Sequence, residues 1–272
     1  MSEGSGQGSL GRGNSPRCVA ITGGASGIGA AYARRAAADG AAVVLLDLNG
    51  PAAQQLAEEI GKDCLALEVD VTDEAAVERV AARVADSGLP SVDALVASAG
   101  LAQPATAIED FSADDFDRVL DSHVRSSYVA ARTFGSRMAA GGGGAMVLLA
   151  SVLSFRPGPV LAYGAGKAAV VSLTQSLAVH WAAKGVRVNA VAPGWTDTPL
   201  LRKPKADGTT RDLSPVIAAT PQRRLMHAEE IAEVIHFLLS PSASAITGVT
   251  LPADGGVMAA AGWVPYGGFP RA

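Results

Sequence analysis

Short runs of apolar residues alternate with longer stretches of helical periodicity between residue 17 and about residue 251. The apolar runs are continuous rather than alternating, which is typical of strands that are buried on both faces of a parallel sheet. This order of elements predicts βαβ units and a doubly wound parallel β-sheet of the α/β class, with helices on both faces. The predicted strands are 18–21, 42–46, 65–67, 92–97, 145–150, 186–191 and 246–251; the predicted helices are 27–38, segments that open at 51 and at 72–74, 112–138, 161–183 and 228–239.

The chain has no recognisable internal domain boundary, so we predict a single domain over 17–258 with a tail at each end. Residues 1–16 are rich in Gly and Ser and are predicted to form a disordered tail. The C-terminal tail, 259–272, carries Trp263, Tyr266 and Phe269. Disordered tails are seldom so aromatic, so one hypothesis packs this tail over a subunit interface or near a substrate cleft; the alternative is a loose end.

Composition narrows the classes of partner. The formal net charge of -4 and the pI of about 5.6 give no electrostatic basis for nucleic-acid binding. No uninterrupted apolar run reaches the roughly 18 residues of a membrane-spanning helix, and the N-terminus lacks the features of a secretory signal. We therefore expect a soluble, cytoplasmic protein.

Cys18 and Cys64 fit no metal-ligand spacing, so we expect free thiols, with a disulfide as the alternative.

A glycine-rich turn follows the first predicted strand and opens the first predicted helix. Gly23, Gly27 and Gly29 allow a tight turn and a close approach of the backbone to a pyrophosphate, with Ser26 and Ile28 between them. The N–H groups at the helix N-terminus and their partial positive charge favour an anion at this position. In this context the turn predicts dinucleotide binding and a Rossmann fold; the alternative is a plain strand-to-helix turn.

Asp47 ends the second predicted strand, about twenty residues after the glycines. A carboxylate there is expected to accept a hydrogen bond from the ribose 2′-OH of NAD and to repel the 2′-phosphate of NADP. The turn itself, 23–29, contains no Lys or Arg to bind such a phosphate. We therefore predict NAD as the cofactor, while the alternative role for Asp47 is to cap the next turn.

Tyr163 and Lys167 are four residues apart in a predicted helix, so they share one helix face. A free tyrosine has a pKa of about 10 and is a poor proton acceptor at neutral pH, but a nearby ammonium group favours the phenolate. The pair thus predicts a proton-transfer site. Taken alone, the same spacing is also compatible with a solvated helix face.

Together, these features resemble the short-chain dehydrogenase/reductase family over residues 17 to about 258. The glycine motif matches 22–29, the Tyr-x-x-x-Lys motif matches Tyr163 and Lys167, and the family's serine matches Ser151 after the preceding strand. The closing segments 246–248 and 254–256 also resemble the C-terminal end of the family. Further cofactor-binding positions fall on Asp70 and Val71 for adenine, on Ala99 and Gly100, and on Pro193, Gly194, Thr196 and Thr198 near the nicotinamide.

The resemblance implies a reaction and an assembly. Tyr163 would act as general acid in reduction and as base in oxidation, and Lys167 would lower its pKa and bind the nicotinamide ribose. Ser151 would hydrogen-bond the substrate oxygen, and hydride would pass directly to or from the nicotinamide with no metal. Many members of the family are tetramers through paired long helices, so a homotetramer is expected here.

Three positions depart from the family pattern. Ser98 stands where the family often has an asparagine, in Ala-Ser-Ala-Gly at 97–100. His123 occupies the position of an asparagine that holds a relay water; it is expected either to take part in that relay or to be a core histidine. Ser151 lies one residue closer to Tyr163 than expected, which leaves Ser154 as the alternative catalytic serine.

The leading interpretation is an NAD-dependent oxidoreductase that acts on a secondary alcohol or ketone. Candidate substrates are polyols, cyclic alcohols, hydroxysteroids and 3-hydroxyacyl groups. Two alternatives are a 3-oxoacyl reductase of the same family and a catalytically weak dinucleotide-sensing protein.

Segment 195–225 lacks a clear period, which indicates a loop that folds over the substrate. Expected cleft residues are Leu153, Phe155, Arg156, Pro199, Leu200, Leu201 and Met226, and the basic side chains Arg202, Lys203, Lys205 and Arg211 are expected to be solvated rather than to bind an anion.

Overall fold

The computed structural model describes residues 16–203 and 208–263. Its main element is a seven-stranded sheet whose strands are β1 (Cys18–Thr22), β2 (Ala42–Asp47), β3 (Cys64–Glu68), β4 (Ala94–Ala97), β5 (Gly144–Leu149), β6 (Val186–Pro193) and β9 (Thr250–Ala253). Every pairing is parallel, and the strand order is β3-β2-β1-β4-β5-β6-β9. The predicted doubly wound parallel sheet is therefore confirmed.

Six long helices of the described chain cover the two faces of the sheet. Successive strand residues point to opposite faces, so each strand contributes apolar side chains to both helix layers. In β1, Cys18 and Ala20 pack into one buried cluster, while Val19 and Ile21 pack into the other. The helices of the first layer are α3 (Glu74–Ala85), α4 (Ala113–Ala140) and α5 (Leu161–Trp181), and those of the second layer are α1 (Gly27–Ala38), α2 (Gly50–Ile60) and α8 (Ala228–Leu239).

The segment 195–225, predicted to be irregular, contains short elements within its described residues. These are β7 (Thr196–Asp197), α6 (Pro199–Arg202) and α7 (Ser214–Ala219), and β7 pairs in parallel with β8 (Met226–His227). A two-residue strand and a four-residue helix are too short to leave a periodic signal in the sequence. The segment follows the carboxyl end of β6 and precedes the start of α8. It therefore lies beside the carboxyl edge of the sheet.

The last strand begins later than predicted, at Thr250 instead of residue 246. The side chain of Asn189 accounts for the difference: its Nδ2 donates to Ile246 O (2.9 Å), and its Oδ1 accepts from Val249 N (3.2 Å). Thr247 Oγ1 accepts from Val188 N. These side chains therefore tie the stretch to β6 together with two backbone hydrogen bonds, from Gly248 N to Val188 O (2.8 Å) and from Ala190 N to Val249 O (2.8 Å).

The two tails are only partly described. Pro16 is the one described residue of the predicted N-terminal tail, and Tyr266 and Phe269 lie outside the described residues. Ala259–Gly262 forms a 3-10 helix, and Trp263 is half exposed. The tail hypotheses stay predictions. Cys18 and Cys64 are free thiols, as expected, and within the described residues no helix is long and apolar enough to cross a lipid bilayer.

Candidate active site

The carboxyl ends of the parallel strands bring the predicted site residues to one edge of the sheet. The strand order reverses direction between β1 and β4, and a crevice opens at such a point in doubly wound sheets. The turn after β1 and the loop after β4 meet there. A Cβ atom on Gly23, which has φ +63°, would fall 2.9 Å from the backbone N of Ala99. Only a glycine allows both this backbone angle and this close approach.

Ser98 replaces the family's asparagine and still ties these two loops together. Its Oγ donates to Thr22 O (2.6 Å), while Ala99 N donates to Thr22 Oγ1 (3.2 Å). The departure at Ser98 therefore leaves the junction between β1 and β4 hydrogen-bonded.

The N-terminus of α1 fits an anionic group. Ser26 is the N-cap residue, but its side chain makes no capping hydrogen bond, and the first turn contains no acidic residue. The leading N–H groups of the helix are therefore left without a side-chain acceptor. Gly27 has φ +54°, and among the described residues a Cβ there would meet the Thr198 side chain alone, at 3.4 Å. These features fit a cofactor pyrophosphate held between the turn and Thr198.

Asp47 lies against the same turn. Its Oδ2 accepts from Ala25 N (3.0 Å) and its Oδ1 accepts from Asn49 N (2.9 Å), so the carboxylate joins the glycine turn to the end of β2. Both roles considered for Asp47 are thus compatible with its contacts. Asp47 forms no ion pair with any described residue, so its carboxylate keeps the charge that would repel a 2′-phosphate. The donor and acceptor set fits NAD better than NADP.

The remaining predicted cofactor positions are distributed along the same edge. Asp70 accepts from Thr72 N and Thr72 Oγ1, and Val71 beside it is buried. Pro193, the last residue of β6, is buried, and a Cβ on Gly194 would fall 2.8 Å from Asp254 Cα. Thr196 Oγ1 donates to Gly194 O, and Thr198 caps α6.

Ser151 and Tyr163 approach each other at the ends of β5 and α5. Ser151 is buried and begins a short 3-10 helix (Val152–Ser154), where its Oγ accepts from Leu153 N (3.1 Å). Tyr163 lies in the first turn of α5 and is partly buried. Burial raises the pKa of Tyr163, and a side-chain hydrogen bond with Ser151 opposes this by lowering it. The serine predicted at the end of β5 is therefore the one in contact with the tyrosine.

Ser154, the alternative serine, hydrogen-bonds the backbones of Ser151 and Lys167. Its Oγ accepts from Ser151 N (3.2 Å) and donates to Lys167 O (2.8 Å). It thereby joins the turn after β5 to the catalytic face of α5. With its hydroxyl committed to two backbone groups, Ser154 is suited to hold the site rather than to bind a substrate oxygen.

Lys167 is buried one turn after Tyr163. Its Nζ donates to Leu149 O (2.6 Å) and lies 5.7 Å from the centroid of the Tyr163 ring. Burial lowers the pKa of Lys167 from 10.5 to about 7. A buried ammonium group is costly without a full set of partners, so its retention here points to function rather than stability.

His123 reaches the site from α4. Its ring meets the Tyr163 ring edge to face, with centroids 4.9 Å apart and planes at 87°. Its Nε2 lies 3.0 Å from Leu101 O, and a carbonyl only accepts, so Nε2 carries the proton and Nδ1 is the bare acceptor. Nδ1 is buried without a partner among the described residues. Burial, and then the charge of Lys167, hold the pKa of His123 well below its usual range, so the ring is neutral.

One further site residue, Gln103, leaves no recognisable signal in the sequence. It lies in the loop between β4 and α4, is 7% exposed, and accepts a hydrogen bond at Oε1 from Tyr163 N (2.9 Å). The same loop is held by α4, where Ser122 Oγ accepts from Leu101 N (3.1 Å). A contact across 60 residues between a loop and a helix leaves no local sequence pattern.

The expected cleft residues form a mixed surface. Phe155 and Leu200 are exposed, and Arg156 Nη1 donates to Val257 O (2.7 Å), which ties the turn after β5 to the C-terminal segment. Arg202 forms an ion pair with Asp197, which supports the solvated interpretation of the loop charges. Lys205 lies outside the described residues.

Known proteins resemble this chain over most of its length. A family model described as enoyl-(acyl carrier protein) reductase matches residues 23–258. A cis-4-hydroxycyclohexanecarboxylate dehydrogenase of Sinomonas cyclohexanicum is 39% identical over 92% of this chain and 100% of its own. An L-tagatose-forming galactitol 2-dehydrogenase of Cereibacter sphaeroides is 40% identical over 88% of this chain and 94% of its own. The crystal structure of a 3-ketoacyl-(acyl-carrier-protein) reductase of Brucella melitensis with NADH is 35% identical, covers 89% of this chain and 98% of its own, and has a TM-score of 0.82.

A Rossmann-type sheet with a Ser–Tyr–Lys site beside a glycine-rich turn defines a nicotinamide-dependent oxidoreductase. The chain belongs to the short-chain dehydrogenase/reductase family. The predicted family, fold, NAD cofactor and action on CH–OH groups are thereby confirmed.

Proposed function

We propose that this enzyme oxidises secondary alcohols that carry further oxygen atoms, with Tyr163 as the general base. The observation that carries the proposal is the convergence of Ser151, Tyr163 and Lys167 at the carboxyl edge of the sheet, beside the glycine turn. Both curated relatives described above are named for alcohols of this kind, a polyol and a hydroxylated ring acid. Their names support the substrate class.

In the proposed reaction, Tyr163 takes the hydroxyl proton of the substrate while Ser151 donates a hydrogen bond to the same oxygen. Lys167, 5.7 Å from the Tyr163 ring centroid, stabilises the phenolate form when it is an ammonium group. Burial lowers the pKa of Lys167 to about 7 in the free enzyme, but a phenolate beside it favours the ammonium form in return. Bound NAD supplies the acceptor for the carbinol hydrogen and its electron pair, which leaves a ketone. Because Tyr163 must be deprotonated and burial raises its pKa, oxidation is expected to rise with pH.

We assign His123 a positioning role. As a neutral ring held by Leu101 O, it supports one side of Tyr163 without adding a charge to the site.

The proposed NAD-binding residues are Gly23, Ser26, Gly27, Ile28, Gly29, Asp47, Asp70, Val71, Ala99, Gly100, Tyr163, Lys167, Pro193, Gly194, Thr196 and Thr198.

We further propose a cytoplasmic homotetramer. The support is a groove of about 810 Å³ along the outer face of α4 and α5, lined by Tyr128, Leu173, Leu177 and Trp181 among others. Paired long helices of a second copy would cover it. The two free thiols agree with a reducing compartment. Light scattering on the purified protein measures the mass directly, and a monomer would contradict this assembly.

The two alternatives have weaker support. A 3-oxoacyl reductase is favoured by the Brucella melitensis structure, which contains NADH, but both curated relatives described above are named for the dehydrogenation of alcohols. A dinucleotide-sensing protein would not need the buried Lys167, whose desolvation costs stability.

Two serine variants test the proposed roles. NADH formation is followed with a panel of secondary alcohols in the wild type, Ser151→Ala and Ser154→Ala. Loss of the donor to a developing oxyanion typically lowers kcat by roughly 100- to 1000-fold. We expect that loss for Ser151→Ala and a smaller one for Ser154→Ala. A larger loss in the Ser154 variant would reverse the assignment.

A further inference from the structure

Gln103 presents two different hydrogen-bonding groups, and only its oxygen has a partner among the described residues. Its Oε1 accepts from Tyr163 N at 2.9 Å. This N–H belongs to the first turn of α5, whose N-cap residue Val160 makes no side-chain capping bond. Gln103 therefore caps the catalytic helix from a distant loop, and the contact fixes which end of its carboxamide is the oxygen.

The NH2 group of Gln103 has no hydrogen-bond acceptor within residues 16–203 and 208–263. The side chain is nevertheless 93% removed from solvent, since only 7% is exposed. The fully buried polar atoms without a partner in this part of the chain do not include Gln103 Nε2. The nitrogen therefore remains partly accessible to solvent. A buried amide with two unused donors is unfavourable unless a ligand or water completes it.

The loop that carries this donor is hydrogen-bonded to α4 two residues before Gln103. Leu101 N–H donates to Ser122, and Leu101 C=O accepts from His123. Gly100 packs directly under the His123 ring. With Gln103 Oε1 bonded to Tyr163 N, these contacts place the side chain beside Tyr163, as is needed for a group that recognises a substrate.

We propose that the Gln103 NH2 group donates a hydrogen bond to a second oxygen atom of the substrate and so selects oxygen-rich alcohols over simple ones. This inference rests on the proposed function and names the residue that sets its specificity. The second oxygen is a hydroxyl or a carboxylate, since both accept. A site built around a polar partner rejects the analogue that lacks it, because the protein group is then left unpaired.

The test measures a ratio of kcat/KM values for two matched substrates in each variant. One pair is vicinal cyclohexanediol and cyclohexanol; the other is cis-4-hydroxycyclohexanecarboxylate and cyclohexanol. Gln103→Met keeps the length of the side chain but removes both polar groups. Gln55→Met, at an exposed position of α2, is the control. Any general damage to α5 lowers both members of a pair alike and cancels in the ratio.

We expect Gln103→Met to lower the preference for the oxygen-rich member of at least one pair by roughly 10- to 100-fold, the cost of one unpaired buried group. Gln55→Met should leave both ratios unchanged. Gln103→Glu keeps the acceptor for Tyr163 N and distinguishes the two kinds of oxygen. The new glutamate still accepts a hydrogen bond from a substrate hydroxyl but repels a substrate carboxylate. If the carboxylate is the oxygen recognised, only the kcat/KM ratio of cis-4-hydroxycyclohexanecarboxylate to cyclohexanol should fall.

The inference is overturned if Gln103→Met lowers both members of each pair equally, since Gln103 then only caps α5. Failure of the proposed function gives a different result, an absence of NADH formation by the wild type with every alcohol tested.

Discussion

Lys167 is predicted to reduce the stability of the free enzyme, and the cost should depend on pH in a defined way. Burial lowers its pKa from 10.5 in the unfolded chain to about 7 in the folded protein. Between these values the unfolded chain holds one more proton than the folded one. Stability linked to this group therefore rises as the pH rises from 7 to 10.5, and it is lowest where both states are charged.

The magnitude follows from the two pKa values. At 1.36 kcal/mol per pKa unit, the penalty at pH 7 is about 4 kcal/mol, and most of it, about 3 kcal/mol, disappears by pH 10. Lys167→Met removes the titrating group and keeps most of the side-chain volume. It also leaves Leu149 O without its donor, at a cost of about 1–3 kcal/mol that does not depend on pH.

The assay is urea unfolding of both proteins without NAD at pH 7, 8, 9 and 10, at one protein concentration. The quantity of interest is the change with pH in the difference between the two free energies of unfolding, because pH-independent losses cancel. The variant should lose about 3 kcal/mol relative to the wild type from pH 7 to pH 10. Lys62→Met, at an exposed position, is the control and should show no such trend.

A difference that stays constant over this range would refute the reasoning. It would mean that Lys167 keeps an ordinary pKa in the folded protein, so that its ammonium group is solvated or paired. A difference with the opposite slope would mean that the fold raises the pKa of Lys167.

Three further predictions concern residues around the site and the core. Asp47→Asn should raise kcat/KM for NADP relative to NAD by about 10-fold or more, because it removes a like charge from the 2′-phosphate, and an unchanged ratio would contradict the role of Asp47. Gly100→Ala should lower stability by about 1–3 kcal/mol, since the new methyl group overlaps the His123 ring, and His123→Ala in the same chain should recover much of that loss; thermal unfolding tests both. Tyr32→Phe should leave stability unchanged or raise it by about 1 kcal/mol, because the Tyr32 hydroxyl is sealed without a partner among the described residues, and a clear loss would reveal a missed hydrogen bond.

The sheet was predictable because its strands are buried on both faces and therefore appear as continuous apolar runs. Val43, Val44 and Leu45 illustrate this in β2, where every one is fully buried. The start of β9 was not predictable, because residues 246–249 bind β6 partly through the side chain of Asn189 and only partly through the backbone.

The chemical site was predictable where its spacing is local. Tyr163 and Lys167 share a helix face, and Ser151 directly follows a strand, so each leaves a short motif. Gln103 and the brace formed by Ser154 leave none, since both act through backbone groups that are distant in sequence. The neutral state of His123 likewise follows only from its burial and its distance to Lys167 in the folded chain.

The most direct test of the account compares wild type with Tyr163→Phe in NAD reduction by a panel of secondary alcohols between pH 7 and 10, with NAD binding measured in parallel by fluorescence. We predict NAD-dependent turnover that rises with pH in the wild type. Tyr163→Phe should lose at least roughly 100-fold in kcat while still binding NAD. Turnover in the variant at the wild-type rate, with the same pH dependence, would contradict the assignment of Tyr163 as the base.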